Sequence, residues 1–175
     1  MTSKSRKNLQ GSDKIVHKGH AATVEQRSEI FAEAGGGVPF RVSPHVVALE
    51  VIQDWRGKLC VLEKGTGLPF PIRRVYFLYD VPTGSERGGH AHHELQQYLI
   101  AISGSFTVDV VTPEGAVSHH LSRPDQALHI GPYTWREIHS FSSNAVCLVL
   151  ASQEYSESDY IRNRADFDRI VGISV

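Results

Sequence analysis

The chain has 175 residues, 41% of them hydrophobic and 21% charged, with a formal net charge of -1. That length and composition suit one soluble domain with a real core, or one domain and a tail. The balanced charge excludes a global basic field that would recruit nucleic acid or anionic membrane, and no run approaches the roughly 18 apolar residues of a membrane span.

Residues 1–20 are polar, and Lys4, Arg6, Lys7, Lys14 and Lys18 face only Asp13. This local excess of positive charge reads as a solvated, loosely attached arm. The start MTSKSRKNLQGSDK has no apolar core, so no secretory signal is expected and the expected compartment is the cytoplasm. TVEQRSEIFAEAGGG then predicts a short helix over about 23–34. Thr23 caps it, Gln26 takes the capping-box position, and Gly35 to Gly37 end it. Residues 1–40 are therefore read as an extension, and 41–175 as the folded domain.

From residue 45 the pattern changes. HVVALEVI, KLCVLEKG, IRRVYFLYDV, QQYLIAIS, SFTVDVVT, AVSHHLS, ALHIG, TWREIHSF and AVCLVLAS are short runs rich in β-branched and aromatic residues. Gly, Pro, Asn, Asp and Ser clusters separate them. SGS at 103–105 and PEG at 113–115 read as hairpin turns. So many short strands predict an all-β sandwich or barrel. Cys60 and Cys147 lie inside apolar runs and read as buried thiols, with no metal-binding spacing. The tail SDYIRNRADFDRIV returns to helical spacing, with Ile161, Phe167, Ile170 and Val171 as its apolar face.

The stretch RGGHAHHELQQ concentrates chemistry. Gly88 and Gly89 read as a turn before a strand. On that strand His90 and His92 share a face, because residues two apart point the same way. A pair of imidazoles on an inward face suits metal binding, or proton transfer near neutral pH, or a structural role. Arginines stand beside the strand ends and motifs at Arg56, Arg73, Arg74, Arg87 and Arg136. The guanidinium fork suits phosphate. Trp135 and Tyr133 either line a pocket or pack the core, and Tyr76 is either a core aromatic or a phenol donor.

The G-x-H-x-H stretch, followed by a strand, SGS and another strand, resembles the first cupin motif. GPYTWREIH resembles the second. A metal-binding cupin would carry a Glu where Gln96 and Gln97 stand, and a His where Glu137 stands. The ordered set RRVYFLYDV, RGGHAHHELQQYLIAISGS, LHIGPYTWREIHSFS, CLVLAS and ESDYIRN, over about residues 45–172, resembles the nucleotide-sugar 3,4-ketoisomerases.

That resemblance implies a cupin (jelly-roll) β-barrel enzyme. It would be a metal-independent isomerase without a cofactor, acting on dTDP-4-oxo-6-deoxy-D-glucose. It also implies a homodimer with exchanged N-terminal strands, and a place in 3-amino-3,6-dideoxy sugar biosynthesis for a glycan such as O-antigen or for an antibiotic. The expected acid/base groups are His90 and His92, with Tyr76 at the oxyanion. Arg87 and Arg74 are expected at the diphosphate. Arg56 and Arg136 are further candidates for substrate contact, although surface ion pairs suit them better. Gln97, Glu137 and His139 are also expected to contact the substrate, with Glu137 and His139 orienting the histidines by hydrogen bonds. The alternatives are a sugar-nucleotide 3,5-epimerase, a metal-dependent cupin oxygenase and a non-catalytic sugar-binding cupin.

Overall fold

The computed structural model describes residues 42–63 and 67–173. The helix expected over 23–34 lies outside them. In chain order the strands are β1 (His45–Ala48), β2 (Val51–Asp54), β3 (Gly57–Cys60), β4 (Arg74–Leu78), β5 (Arg87–His92) and β6 (Gln97–Ser103). They continue with β7 (Phe106–Thr112), β8 (Gly115–Leu121), β9 (Gln126–Ile130), β10 (Trp135–His139), β11 (Val146–Ala151) and β12 (Tyr160–Ile161). One helix, α1 (Arg164–Val171), follows.

Two antiparallel five-stranded sheets face each other, ordered β1-β9-β6-β11-β4 and β12-β5-β10-β7-β8, with β2 and β3 as a separate hairpin. This is the all-β jelly-roll architecture of the cupin fold. The expected turns are present. Ser103 and Phe106 flank the link from β6 to β7, where Gly104 takes φ +62°, and PEG closes the hairpin from β7 to β8. An alternating sequence lets each strand bury one face. Phe106, Val108 and Val110 of β7 meet Leu99, Leu128, Ile130, Cys147 and Val149 of the opposite sheet.

Two smaller clusters cover the outer faces. Tyr98, Ile100 and Leu150 lie under Leu49, Phe70 and Leu62 on one sheet. On the other, Ala91, Trp135 and Ile161 lie under Phe167 and Val171 of α1. Cys147 is fully buried, which pushes its thiol up to about 12, while Cys60 is only half-buried.

Two expectations require correction. The helical spacing assigned to the whole tail begins only at Arg164, where the Asn163 side chain caps the helix by accepting from Asp166 N at 3.1 Å. The preceding residues form a single 3-10 turn, Glu157–Asp159, and then β12, which pairs Tyr160 with His92 and Ile161 with Ala91. Gly88 and Gly89 are likewise not a turn before a strand but part of β5. The pairing of β5 with β10 runs Arg136 with His90, then Glu137 with Gly88, so Gly89 is the extra residue of a β-bulge. Both glycines have positive φ, and a Cβ on Gly88 would sit 2.6 Å from the Arg136 carbonyl oxygen.

Candidate active site

The bulge sets what faces inward. Arg136 and Ile138 of β10 point toward the space between the sheets, since Ile138 belongs to the main core and Arg136 reaches Gln97 of the opposite sheet. Their partners on β5 are His90 and Arg87. The extra residue therefore changes the strand's parity, and Arg87 shares the inner face with His90 and His92 at an exposed end of β5.

His90 is half-buried, and its Nδ1 donates to Gly88 O at 3.0 Å. That bond fixes the neutral tautomer and leaves the Nε2 lone pair free. Burial, and then the nearby Arg136, hold its pKa down to about 3. His92 is 1% exposed. Its ring meets His90 edge-on at 5.0 Å between centroids and Tyr160 at 4.2 Å. Burial first, then Arg136, His90, Arg74 and Arg162, hold its pKa well below the ordinary imidazole range. Its Nδ1 lies 2.8 Å from Asp159 Oδ2, with the carboxylate off the line of an ideal hydrogen bond.

The floor of the site is a buried polar chain. Arg136 is 3% exposed and donates to His90 O at 3.0 Å and to Gln97 Oε1. Burial brings its pKa down to about 10, which keeps it a cation at neutral pH. A guanidinium only donates, so the Gln97 amide must turn its oxygen toward Arg136 and its nitrogen away. Gln97 Nε2 then donates to Tyr76 Oη at 2.7 Å. The phenol accepts from Gln97, so its own hydrogen is free to donate elsewhere. Burial pushes the Tyr76 pKa up, against the pull of Arg136 and Arg74, so the phenol stays protonated.

Arg74 stands on the same inward face of β4 as Tyr76. Its guanidinium lies 5.3 Å from the ring centre of Tyr76 and 5.7 Å from that of Tyr155. Its Nε is buried with no hydrogen-bond partner.

Other expected site residues are placed elsewhere. Glu137 and His139 alternate with Arg136 and Ile138, so they face outward. Glu137 accepts from Trp135 Nε1 at 3.0 Å and His139 Nε2 lies 3.0 Å from Asp109 Oδ2. Neither orients His90 or His92. Trp135 packs on Phe167, and Tyr133 on His93. Arg56 lies in the β2–β3 turn and pairs with Asp54 at 2.6 Å. Arg136, better suited on sequence to a surface ion pair, is instead buried at the base of the site.

Sequence reasoning assigned no role to Asp159, Tyr160, Tyr155 or Arg162. Tyr160 packs on both histidines, Arg162 lies 4.2 Å over its ring, and Tyr155 lies 5.6 Å from it. The segment ESDYIRN carried the available signal as a motif, but helical spacing does not reveal a two-residue strand.

The donor set disfavours a metal. An amide and a buried cation occupy the ground beside the histidines, and among the described residues no group of three His, Cys, Asp or Glu side chains is placed to hold an ion.

Comparison with known proteins places this geometry. The family model FdtA: WxcM-like, C-terminal matches residues 43–172. A TDP-4-oxo-6-deoxy-alpha-D-glucose-3,4-oxoisomerase of Aneurinibacillus thermoaerophilus is 38% identical over 128 residues, covering 72% of this chain and 91% of the relative. The chain belongs to the sugar-nucleotide 3,4-ketoisomerase family.

Solved members of that family superpose on it. A 3,4-ketoisomerase from Helicobacter canadensis is 39% identical with a TM-score of 0.71, covering 74% of this chain and 98% of its own. The TDP-quinovose 3,4-ketoisomerase WlaRB of Campylobacter jejuni is 41% identical with a TM-score of 0.69, covering 73% and 98%. A histidine-to-asparagine variant of the 3,4-ketoisomerase QdtA from Thermoanaerobacterium thermosaccharolyticum, solved with TDP-4-keto-6-deoxyglucose, is 35% identical with a TM-score of 0.71, covering 73% and 93%.

Proposed function

We propose that this ketoisomerase acts on TDP-4-oxo-6-deoxyglucose, moving the ketone from C4 to C3 by proton transfers at His90 and His92. The observation that carries the reading is the state of His90: a neutral imidazole, locked with Nε2 unprotonated, on one strand face with a second imidazole. Such a group is a base without any change in its own protonation.

Nε2 of His90 takes the proton from C3. The C–H pair becomes the C3=C4 bond, and the C4 carbonyl oxygen becomes an enediolate oxygen. The free hydrogen of Tyr76 donates to that oxygen, where negative charge develops. His92 moves the O3 proton to O4, and the imidazolium of His90, its Nε2 proton exchanged with solvent at this half-buried ring, protonates carbon at C4. The balance closes with a 3-ketone and no redox partner.

Arg74 and Arg87 are the candidates for the diphosphate. Arg74 supports this with a buried, unpartnered Nε held between two phenol rings, and Arg87 with its place on the inner face at the open end of β5. The product suits an aminotransferase that makes a 3-amino-3,6-dideoxy sugar. A cytoplasmic enzyme fits a nucleotide-sugar substrate. Among the described residues no helix is long and apolar enough to cross a membrane.

Proton NMR of the protein with TDP-4-oxo-6-deoxyglucose tests the substrate. The expected outcome is a 3-oxo sugar nucleotide whose couplings report the C4 configuration; epimerisation at C3 or C5 with the ketone left at C4 would defeat the reading. The pH profile tests the base. A group that must be unprotonated works at any pH above its own pKa. His90 is held down to about 3, so kcat/KM should stay level between roughly pH 5 and 8. A fall centred near the ordinary imidazole value, about 6.5, would show an unperturbed histidine at work.

We also propose a homodimer. Within one chain β1 pairs with its own β9, and β4 is an edge strand whose outward residues Val75 and Phe77, with Tyr79 just past its end, are more than half exposed. An apolar edge of this kind is covered when a second copy lies against it. Sedimentation at micromolar concentration should give a dimer, and Phe77→Lys should give a monomer; a monomeric parent chain contradicts this.

A further inference from the structure

His92 differs from His90 in having a carboxylate beside it. Asp159 is held firmly there. Its Oδ1 accepts from Glu94 N at 2.8 Å, and its main-chain oxygen accepts from His93 N at 2.9 Å. Both anchors belong to the residues directly after His92, so few rotatable bonds separate the imidazole from the carboxylate. The remaining oxygen, Oδ2, lies 2.8 Å from His92 Nδ1, and the Asp159 side chain is 12% exposed.

The other groups facing His92 work against a proton on it. They are His90 on β5, Arg136 on β10, Arg74 on β4 and Arg162 beyond β12, with the Tyr160 ring closing the remaining side. Among the described residues Asp159 is the carboxylate in contact with the ring. A neutral imidazole has one N–H. With that hydrogen on Nδ1, the donor lies 2.8 Å from the carboxylate, although off the line of an ideal hydrogen bond; with it on Nε2, a lone pair would stand that close to a negative oxygen.

We infer that Asp159 is a positioning residue that keeps the His92 proton on Nδ1, presents the Nε2 lone pair to the substrate's hydroxyl oxygens, and offsets the imidazolium formed as the proton passes from O3 to O4. This rests on the reading of His92 as the oxygen-to-oxygen carrier. In the step, the O3–H bond breaks as Nε2–H forms, and Nε2–H then breaks as O4–H forms. The electron pair left on O3 closes the C3 carbonyl as C4 takes its proton from His90. In this step the Nδ1–H bond stays intact while Nε2 accepts and releases the proton, and the carboxylate 2.8 Å from Nδ1 offsets the charge.

The test combines kinetics with ¹⁵N-histidine NMR on the full chain. The parent protein should show His92 as the Nδ1–H tautomer; an Nε2–H tautomer in that same protein overturns the inference without any variant. Asp159→Asn should lower kcat by roughly 10- to 100-fold while KM stays within about twofold, and should lose the single Nδ1–H tautomer. Asp159→Glu should recover part of both. In D2O, Asp159→Asn should still exchange the substrate's C3 proton, since His90 is untouched, while net ketone movement falls. Asp159→Asn with full kcat and an unchanged tautomer sinks the role of Asp159. If His92→Asn also keeps full isomerisation, the carrier reading of His92 fails as well; if His92→Asn is inactive while Asp159→Asn is not, only the inference about Asp159 is lost.

Discussion

Replacing His90 with asparagine should lower kcat by roughly 10²- to 10⁴-fold, the range of a positioned acid or base, and leave the fold intact. The His90 side chain has one hydrogen bond to the scaffold, from Nδ1 to Gly88 O at 3.0 Å. An asparagine amide can donate to the same carbonyl. What it cannot supply is the unprotonated Nε2. The loss should therefore appear in kcat with little change in substrate affinity, and exchange of the C3 proton in D2O should stop. Steady-state kinetics with thermal melting of the same sample checks both halves. Residual exchange at the parent rate would move the carbon base to another group.

The second large effect is Tyr76→Phe. The substitution removes the free phenol hydrogen that we propose donates to the enediolate oxygen, and losing one such donor costs about 10²- to 10³-fold in kcat. It also leaves Gln97 Nε2 without its acceptor at 2.7 Å, and an orphaned buried donor costs about 1–3 kcal/mol of stability. Gln97 is itself fixed by Arg136, so the damage should stay local to the chain Arg136–Gln97–Tyr76. A kcat within a fewfold of the parent would return Tyr76 to a packing role, which its contact with the main core already gives it.

The strands from His45 to Ala151 and the turns at SGS and PEG were legible because hydrophobic alternation and turn residues are local signals. The shared face of His90 and His92 followed from the same period of two. The bulge at Gly89 was not legible, because an extra residue is defined only against a partner strand, here β10. That one residue sets the face of Arg87. Alternation put Glu137 and His139 together correctly, but nothing local says which face is inner. The outer one is covered by α1, whose Phe167 and Val171 sit more than 70 residues beyond β5. Asp159 and Tyr160 escaped for a similar reason. Their role comes from two residues of β12 pairing with β5, a strand too short to have a period.

The most direct test of the central claim, proton transfer by the β5 histidines, is the fate of hydrogen in D2O. TDP-4-oxo-6-deoxyglucose should be turned over by the parent chain, with and without EDTA, and by His90→Asn, and the products read by proton NMR. The account predicts a 3-oxo product carrying deuterium at C4, formed at the same rate with the chelator and absent from the variant. Turnover that stops with EDTA, or a His90→Asn protein that still forms the C4-deuterated ketone, would contradict it.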